Sequence, residues 1–155
     1  MVRDLVRELL QSGRTLAVAE SLTGGALAAR IVDTPGASGT FLGGVVAYSA
    51  EAKRKMLDVS AKLIAKCGTV DPDVALQMAT GVQGTFGSDV AIATTGVAGP
   101  GPAEHKPEGT VFIAVVVGQE TFVKRFLFEG DRASIREQSV DAAFDLALAR
   151  LAADE

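Results

Sequence analysis

Three stretches of this chain are apolar at nearly every position: Thr15-Leu-Ala-Val-Ala19, Val90-Ala-Ile-Ala-Thr-Thr95 and the run over residues 110 to 117. A strand with one wet face alternates apolar and polar residues, so strands without alternation must be covered on both sides. The cover comes from neighbouring segments with helical spacing. Val2, Leu5, Val6, Leu9 and Leu10 share one face, with Arg3, Asp4, Arg7 and Glu8 opposite and Gly13 as a stop. The alanine-rich segment Ala26–Val32 predicts a second helix, ended near Asp33-Thr34-Pro35-Gly36. Residues 51 to 57 and 60 to 66 predict two short helices. Asp71 followed by Pro72 is a helix start, an N-cap with proline at the first helical position, and Val74, Met78, Ala79, Val82 and Phe86 follow. A terminal helix is predicted over residues 132 to 151. Residues 41 to 48 predict a further strand, and residues 110 to 117 and 121 to 128 a hairpin around Gly118-Gln-Glu120. The expected fold is α/β: a single-domain α/β/α sandwich over residues 1 to 155, with a mixed, mostly parallel sheet.

Composition narrows the function. At 48% apolar and 22% charged, the 155 residues can fill a core and do not describe a disordered chain. Fifteen basic against 19 acidic residues give a formal charge of -4, so no global positive field exists to collect nucleic acid. With one cysteine, Cys67, and one histidine, His105, there is no disulfide pair and no His or Cys cluster for a metal, and no cofactor is expected. The first ten residues interleave charge with apolar side chains, unlike a signal peptide. No apolar run approaches the ~20 residues that span a bilayer. A cytoplasmic protein without membrane contact is expected. Seventeen glycines in a chain with no tryptophan are left to be explained.

Three loops at predicted strand ends join glycine to reactive groups, where ligands bind in open α/β sheets. In Glu20-Ser-Leu-Thr-Gly-Gly25, Ser21 stands between a strand and a helix. Backbone N–H groups around Thr23, Gly24 and Gly25 could face an anion there; the alternative is that Ser21 or Thr23 caps the helix. Two glycines in a first helical turn cost roughly 1 kcal/mol each against alanine, which favours close approach of some group to the backbone. In the second loop, Tyr48 ends a strand and Lys53, Arg54 and Lys55 follow in a row. Successive helical residues turn about 100°, so if two of these cations face water, the third can point inward. A buried lysine of lowered pKa can serve a serine nucleophile as base. The third loop, Gly96-Val-Ala-Gly-Pro-Gly-Pro102, lacks the Gly-Lys-Ser/Thr ending of a P-loop but could present a nest of N–H groups. Arg132 and Arg136 lie four apart at the start of the last helix, where they suit a bound anion or salt bridges to Asp131 or Glu129.

Seven segments in order resemble the CinA C-terminal-domain family, the nicotinamide mononucleotide deamidases. They are Ala19-Glu-Ser-Leu-Thr-Gly-Gly25, Pro35-Gly-Ala-Ser38, Gly43-Gly-Val-Val-Ala-Tyr-Ser49, Glu51-Ala-Lys53, Thr95-Gly-Val-Ala-Gly-Pro100, Lys106-Pro-Glu-Gly-Thr-Val111 and Gly130-Asp-Arg132. The resemblance implies hydrolysis of the carboxamide of nicotinamide mononucleotide to nicotinate mononucleotide and ammonia. It implies Ser21 as nucleophile, Lys53 as base and Tyr48 as an assisting residue. Thr95 is implied to contact substrate through its hydroxyl, and Arg132 to line the substrate pocket. Thr23, Gly24, Gly25, Gly96, Gly99 and Arg136 complete the expected binding set. A homodimer or larger homo-oligomer is implied too. Leu22 stands where many relatives carry cysteine, and Ala50 where they usually carry asparagine. With a short loop between Gly99 and Lys106, Ala50 motivates the alternative of a family member that binds nucleotide with impaired turnover.

Overall fold

The structure is a computed structural model that describes residues 1 to 154; Glu155, the last residue of the expected domain, lies outside the described residues. In chain order the elements are α1 (Val2–Ser12), β1 (Leu16–Glu20), α2 (Ala26–Val32), a 3-10 turn (Ala37–Gly39), β2 (Phe41–Val46), α3 (Ala50–Leu57), α4 (Ala61–Cys67), α5 (Pro72–Phe86), β3 (Val90–Gly96), β4 (Thr110–Val117), β5 (Glu120–Leu127) and α6 (Arg132–Ala153). The strands form one sheet in the order β2-β1-β3-β4-β5. β1 pairs in parallel with β2 and β3, and β4 is antiparallel to both β3 and β5. Four strands therefore run one way and β4 runs against them, the expected mixed and mostly parallel arrangement.

Burial follows the sequence pattern. Every residue of β1 and β4 is buried, as is all of β3 except Gly96. The two faces differ in size. Leu16, Val18, Val90 and Ile92 pack with α1, α2 and α6 through Leu5, Leu9, Leu27, Ile31, Ile135 and Phe144. Ala17, Ala19, Ala91 and Ala93 point the other way, into a core with Leu57, Val74, Met78, Ala79 and Val82. Alternation along these strands is thus between large and small, not apolar and polar. The alanine face lets α5 lie close to the sheet, so a core can close without tryptophan.

Local signals set the helix ends. Asp71 caps α5 by accepting from the Asp73 and Val74 N–H groups, with Pro72 in the first turn. Gly13 and Gly87 end α1 and α5 in the left-handed conformation. α3 meets α5 at Gly81, where a Cβ would stand 2.0 Å from the Leu57 carbonyl oxygen. This contact fixes the depth at which α3 sits. Gly81→Ala is expected to push α3 outward and lower stability by about 1 to 3 kcal/mol, a cost typical of overpacking, measurable by urea unfolding.

Candidate active site

The strands after β1 leave to opposite sides, β2 to one and β3 to the other, so the carboxyl end of β1 is a topological switch point. Ser21 is the residue immediately beyond that end. Its N–H donates to Thr94 O at 3.1 Å, and its carbonyl accepts from the Gly24 N–H at 3.0 Å, so the backbone on both sides is fixed.

Lys53 approaches from α3, which Ser49 caps through the Ala52 N–H. Of the three successive cations only Lys53 is buried, at 1% exposure; Arg54 and Lys55 are exposed, and Lys55 pairs with Glu51 at 2.7 Å. Lys53 Nζ lies 2.8 Å from Ser21 Oγ, 2.9 Å from Ala47 O and 3.4 Å from Tyr48 O. Burial lowers its pKa from 10.5 to about 8, against the pull of the Glu104 carboxylate, which favours the charged amine. Lys53 is charged in both folded and unfolded chains below pH 8, so the full penalty of burying that charge, roughly 3 kcal/mol, applies there. The penalty fades as pH rises from about 8 to 10.5.

Ser21 opens on a cleft of about 300 Å³ whose walls include Tyr48, Thr69, Thr95, Gly99, Glu104 and Arg132. That volume is at the small end for ligand pockets. Thr95 is buried and donates its hydroxyl to Thr69 O at 2.8 Å, so it also braces the turn before α5. Gly96 lines the wall where β3 meets β4. Arg132 spans the mouth, with Nη1 donating to Gly99 O at 2.6 Å and Nη2 to the Tyr48 hydroxyl at 2.9 Å. It forms no salt bridge to Asp131 or Glu129; Asp131 is instead the cap of α6, accepting from the Ser134 N–H.

Several expected roles are corrected. Thr23, Gly24, Gly25 and Arg136 do not line the cleft. The anion at the start of α2 is the protein's own: the buried Glu20 carboxylate accepts from the N–H groups of Gly25, Leu27 and Ala28 at 3.2, 2.8 and 3.1 Å. Arg136 donates to the carbonyls of Leu22 and Thr23, and a Cβ on Gly24 would stand 3.2 Å from its guanidinium. The groups that approach this glycine pair are therefore internal. Gly24 and Gly25 are also left-handed, at φ 59° and 101°. Thr23 is fully buried and shares a hydrogen bond with the Thr94 hydroxyl at 2.9 Å. Tyr48 reaches Lys53 only through its carbonyl, since its phenol is with Arg132. In the third loop the Gly101 N–H is taken by Glu108 at 3.1 Å, which removes it from the expected nest. Near Ser21, the N–H groups of Leu22 and Thr23 make no hydrogen bond among the described residues.

Glu20, Thr69 and Glu104 did not stand out in the sequence. Glu20 bonds residues five to eight positions ahead, a spacing without a motif. Glu104 reaches Thr69 and Val70 across more than thirty residues.

Fold and site together define an α/β/α domain with a serine and a buried lysine paired at the ends of its parallel strands. The profile of the CinA C-terminal domain matches residues 1–151, and the chain belongs to that family. A CinA-like protein of Mycobacterium marinum is 50% identical over 147 residues, covering 94% of this chain and 34% of that protein. One of Citrifermentans bemidjiense is 49% identical over 138 residues, covering 88% and 33%. The chain thus spans about a third of the length of these relatives. The crystal structure of a competence-damaged protein (CinA) superfamily member from Klebsiella pneumoniae matches with a TM-score of 0.95 at 35% identity, covering 97% of this chain and 95% of that one. A competence/damage inducible protein, CihA, from Agrobacterium tumefaciens matches at 0.88 and 31% identity, covering 96% and 94%. No helix among the described residues is long and apolar enough to cross a membrane.

The internal carboxylate makes a prediction. Glu20→Ala leaves three N–H groups at the start of α2 without their acceptor, and is expected to cost about 3 kcal/mol in a thermal melt. Glu20→Gln, which keeps one acceptor oxygen, should cost less.

Proposed function

We propose that this chain is an amidohydrolase that converts nicotinamide mononucleotide and water to nicotinate mononucleotide and ammonia, with Ser21 as nucleophile and Lys53 as general base. The observation that carries this reading is the 2.8 Å contact between Lys53 Nζ and Ser21 Oγ, with the amine out of water. A charged Lys53 donates to all three of its partners. Two of them, Ala47 O and Tyr48 O, are carbonyls that can only accept. When Lys53 is neutral its two N–H groups serve the carbonyls and its lone pair is left for the Ser21 hydroxyl. The two carbonyls thereby aim the base.

In the acylation step, Ser21 Oγ attacks the carboxamide carbon as Lys53 takes its proton. The intermediate collapses with loss of ammonia, which receives that proton from Lys53. Water then attacks the acyl-serine, Lys53 again accepting the proton, and the acid is released with the serine restored. The oxyanion needs a preorganised donor, and the free N–H of Leu22, next to the nucleophile, supports this role. Arg132 at the cleft mouth suits the 5′-phosphate, since its present partners are neutral acceptors that a phosphate outcompetes.

Ammonia release from nicotinamide mononucleotide tests the reading. Ser21→Ala is expected to reduce kcat at least ~1,000-fold, consistent with the loss of a covalent nucleophile; equal rates for wild type and variant would reject the mechanism. Saturable binding without nicotinate product from the wild type would leave a binding protein in place of an enzyme.

The base must be neutral, so kcat/KM should rise about tenfold per pH unit up to about 8 and level above it. At pH 7 roughly one lysine in ten is then neutral, against one in a few thousand at the ordinary value. Lys53→Met should abolish turnover while leaving Tm at pH 7 unchanged or raised, because the buried charge is removed.

A further inference from the structure

The third loop is latched by a carboxylate that the proposed reaction does not use. Glu104 and His105 are successive non-glycine residues in the left-handed region, at φ 51° and 62°. They form the tip of a turn that Ala103 and Lys106 close through mutual backbone hydrogen bonds of 3.0 and 2.9 Å. Such backbone is costly and persists where other contacts hold it. Here Glu104 Oε1 accepts from the Thr69 and Val70 N–H groups at 2.9 and 3.0 Å, and Oε2 from the Thr69 hydroxyl at 2.6 Å. Burial acts to raise the Glu104 pKa, but the Thr69 hydroxyl, the two N–H groups and nearby Lys106 outweigh it and hold the carboxyl ionised.

Glu104 is exposed and is one of the residues that line the cleft. Of the described side chains lining the cleft, only Glu104 and Arg132 carry formal charge. They have different neighbours. Arg132 sits with the Tyr48 phenol and Gly99 O, whereas the field of Glu104 reaches Lys53, which stands against Ser21. Thr69, which Glu104 holds, also accepts from the Thr95 hydroxyl at the end of β3, next to the Thr94 carbonyl that takes the Ser21 N–H, so with Lys53 neutral the cleft is negative on its Thr69–Thr95 side and positive on its Tyr48–Gly99 side. A ligand of matching polarity has a cationic ring beside its scissile carboxamide and an anionic tail. Resting on the amidohydrolase reading, we infer that Glu104 is a specificity-determining residue, the counter-charge that selects an N-substituted pyridinium ring over an uncharged ring carrying the same carboxamide. The loop's strained turn and its latch onto Thr69 and Val70 then have a purpose, to keep one carboxylate in the wall of a cleft whose other charged side chain, among the described residues, is Arg132.

The test compares nicotinamide mononucleotide with its reduced dihydropyridine form, which keeps the carboxamide and phosphate but carries no ring charge. Dissociation constants are measured on the Ser21→Ala protein, and KM and kcat by ammonia release on the otherwise wild-type protein. At about pH 9, where Lys53 is largely neutral, the Ser21→Ala protein should bind the cationic ring about tenfold more tightly than the neutral one, a factor near the low end of that seen for close charge pairs. Adding Glu104→Gln should erase that preference. In the active enzyme at about pH 9, where Lys53 is largely neutral with or without Glu104, it should raise KM for the cationic nucleotide about tenfold with kcat little changed, the mark of lost uniform binding. Thr69→Val weakens the latch without touching the charge and should preserve the preference for the cationic ring. Equal weakening for both rings in Glu104→Gln, or no preference in its Ser21→Ala parent, overturns the inference. If the wild type releases no ammonia, the amidohydrolase reading fails, and the binding ratio still decides the role of Glu104. Failure to bind either ring overturns both.

Discussion

An amine held out of water against a hydroxyl is an unfavourable arrangement, and much of this molecule can be understood as the means of keeping it. Lys53 at 1% exposure has the Ser21 hydroxyl and two carbonyls for company, with no carboxylate among its hydrogen-bond partners. A carboxylate in contact would have stabilised the ammonium and returned the lysine to its ordinary range. Glu104 lies near enough to moderate the effect of burial, without cancelling it. The pair depends on three pieces of chain meeting at one point: the end of β1, the β2-to-α3 connection and the body of α3 itself.

Each piece is held by packing that is unremarkable alone. The Ala47 N–H donates to Glu20 O at 2.8 Å and extends the parallel register of β1 and β2 just past the strand, which sets the carbonyl that Lys53 uses. α3 rests on α5 at Gly81, and α5 rests on the alanine face of the sheet. A larger residue at any of these levels would lift α3 and with it the lysine. Small residues thus set how far Lys53 stands from Ser21.

The layered fold was legible because its strands carry an unbroken apolar signal and its helices a strong amphipathic one, with caps such as Asp71 and stops such as Gly13 at their ends. Ser21 stood out at a strand-to-helix junction, and the geometry of three successive cations allowed one of them to turn inward; that Lys53 was the one was implied by the family resemblance. The partners of the glycine pair were not legible. A close neighbour stands beside Gly24 alone, while Gly25 is set by its left-handed backbone, and sequence could not say that the N–H groups there would serve Glu20 or that Arg136 would take the space beside Gly24, because an internal carboxylate and an external one make the same demands on a backbone. Tyr48 was similarly ambiguous: a residue beside a site can serve through its carbonyl as well as its side chain, and the hydrogen bond to Arg132 crosses 84 positions. Contacts of that span are set by tertiary packing and leave no local periodicity to read.

The Glu20 carboxylate has one more consequence. In many α/β proteins the positive end of the first helix after the switch-point strand attracts an anionic ligand, in a sheltered spot that salt barely reaches. Here that end is already neutralised from within. Long-range attraction of an anion falls to side chains at the mouth, chiefly Arg132, which is exposed. On the proposed reading, capture of an anionic ligand should therefore respond to ionic strength, while the Ser21–Lys53 contact beneath it stays insulated, so that recruitment and reaction would sit in different dielectric worlds within one small cleft.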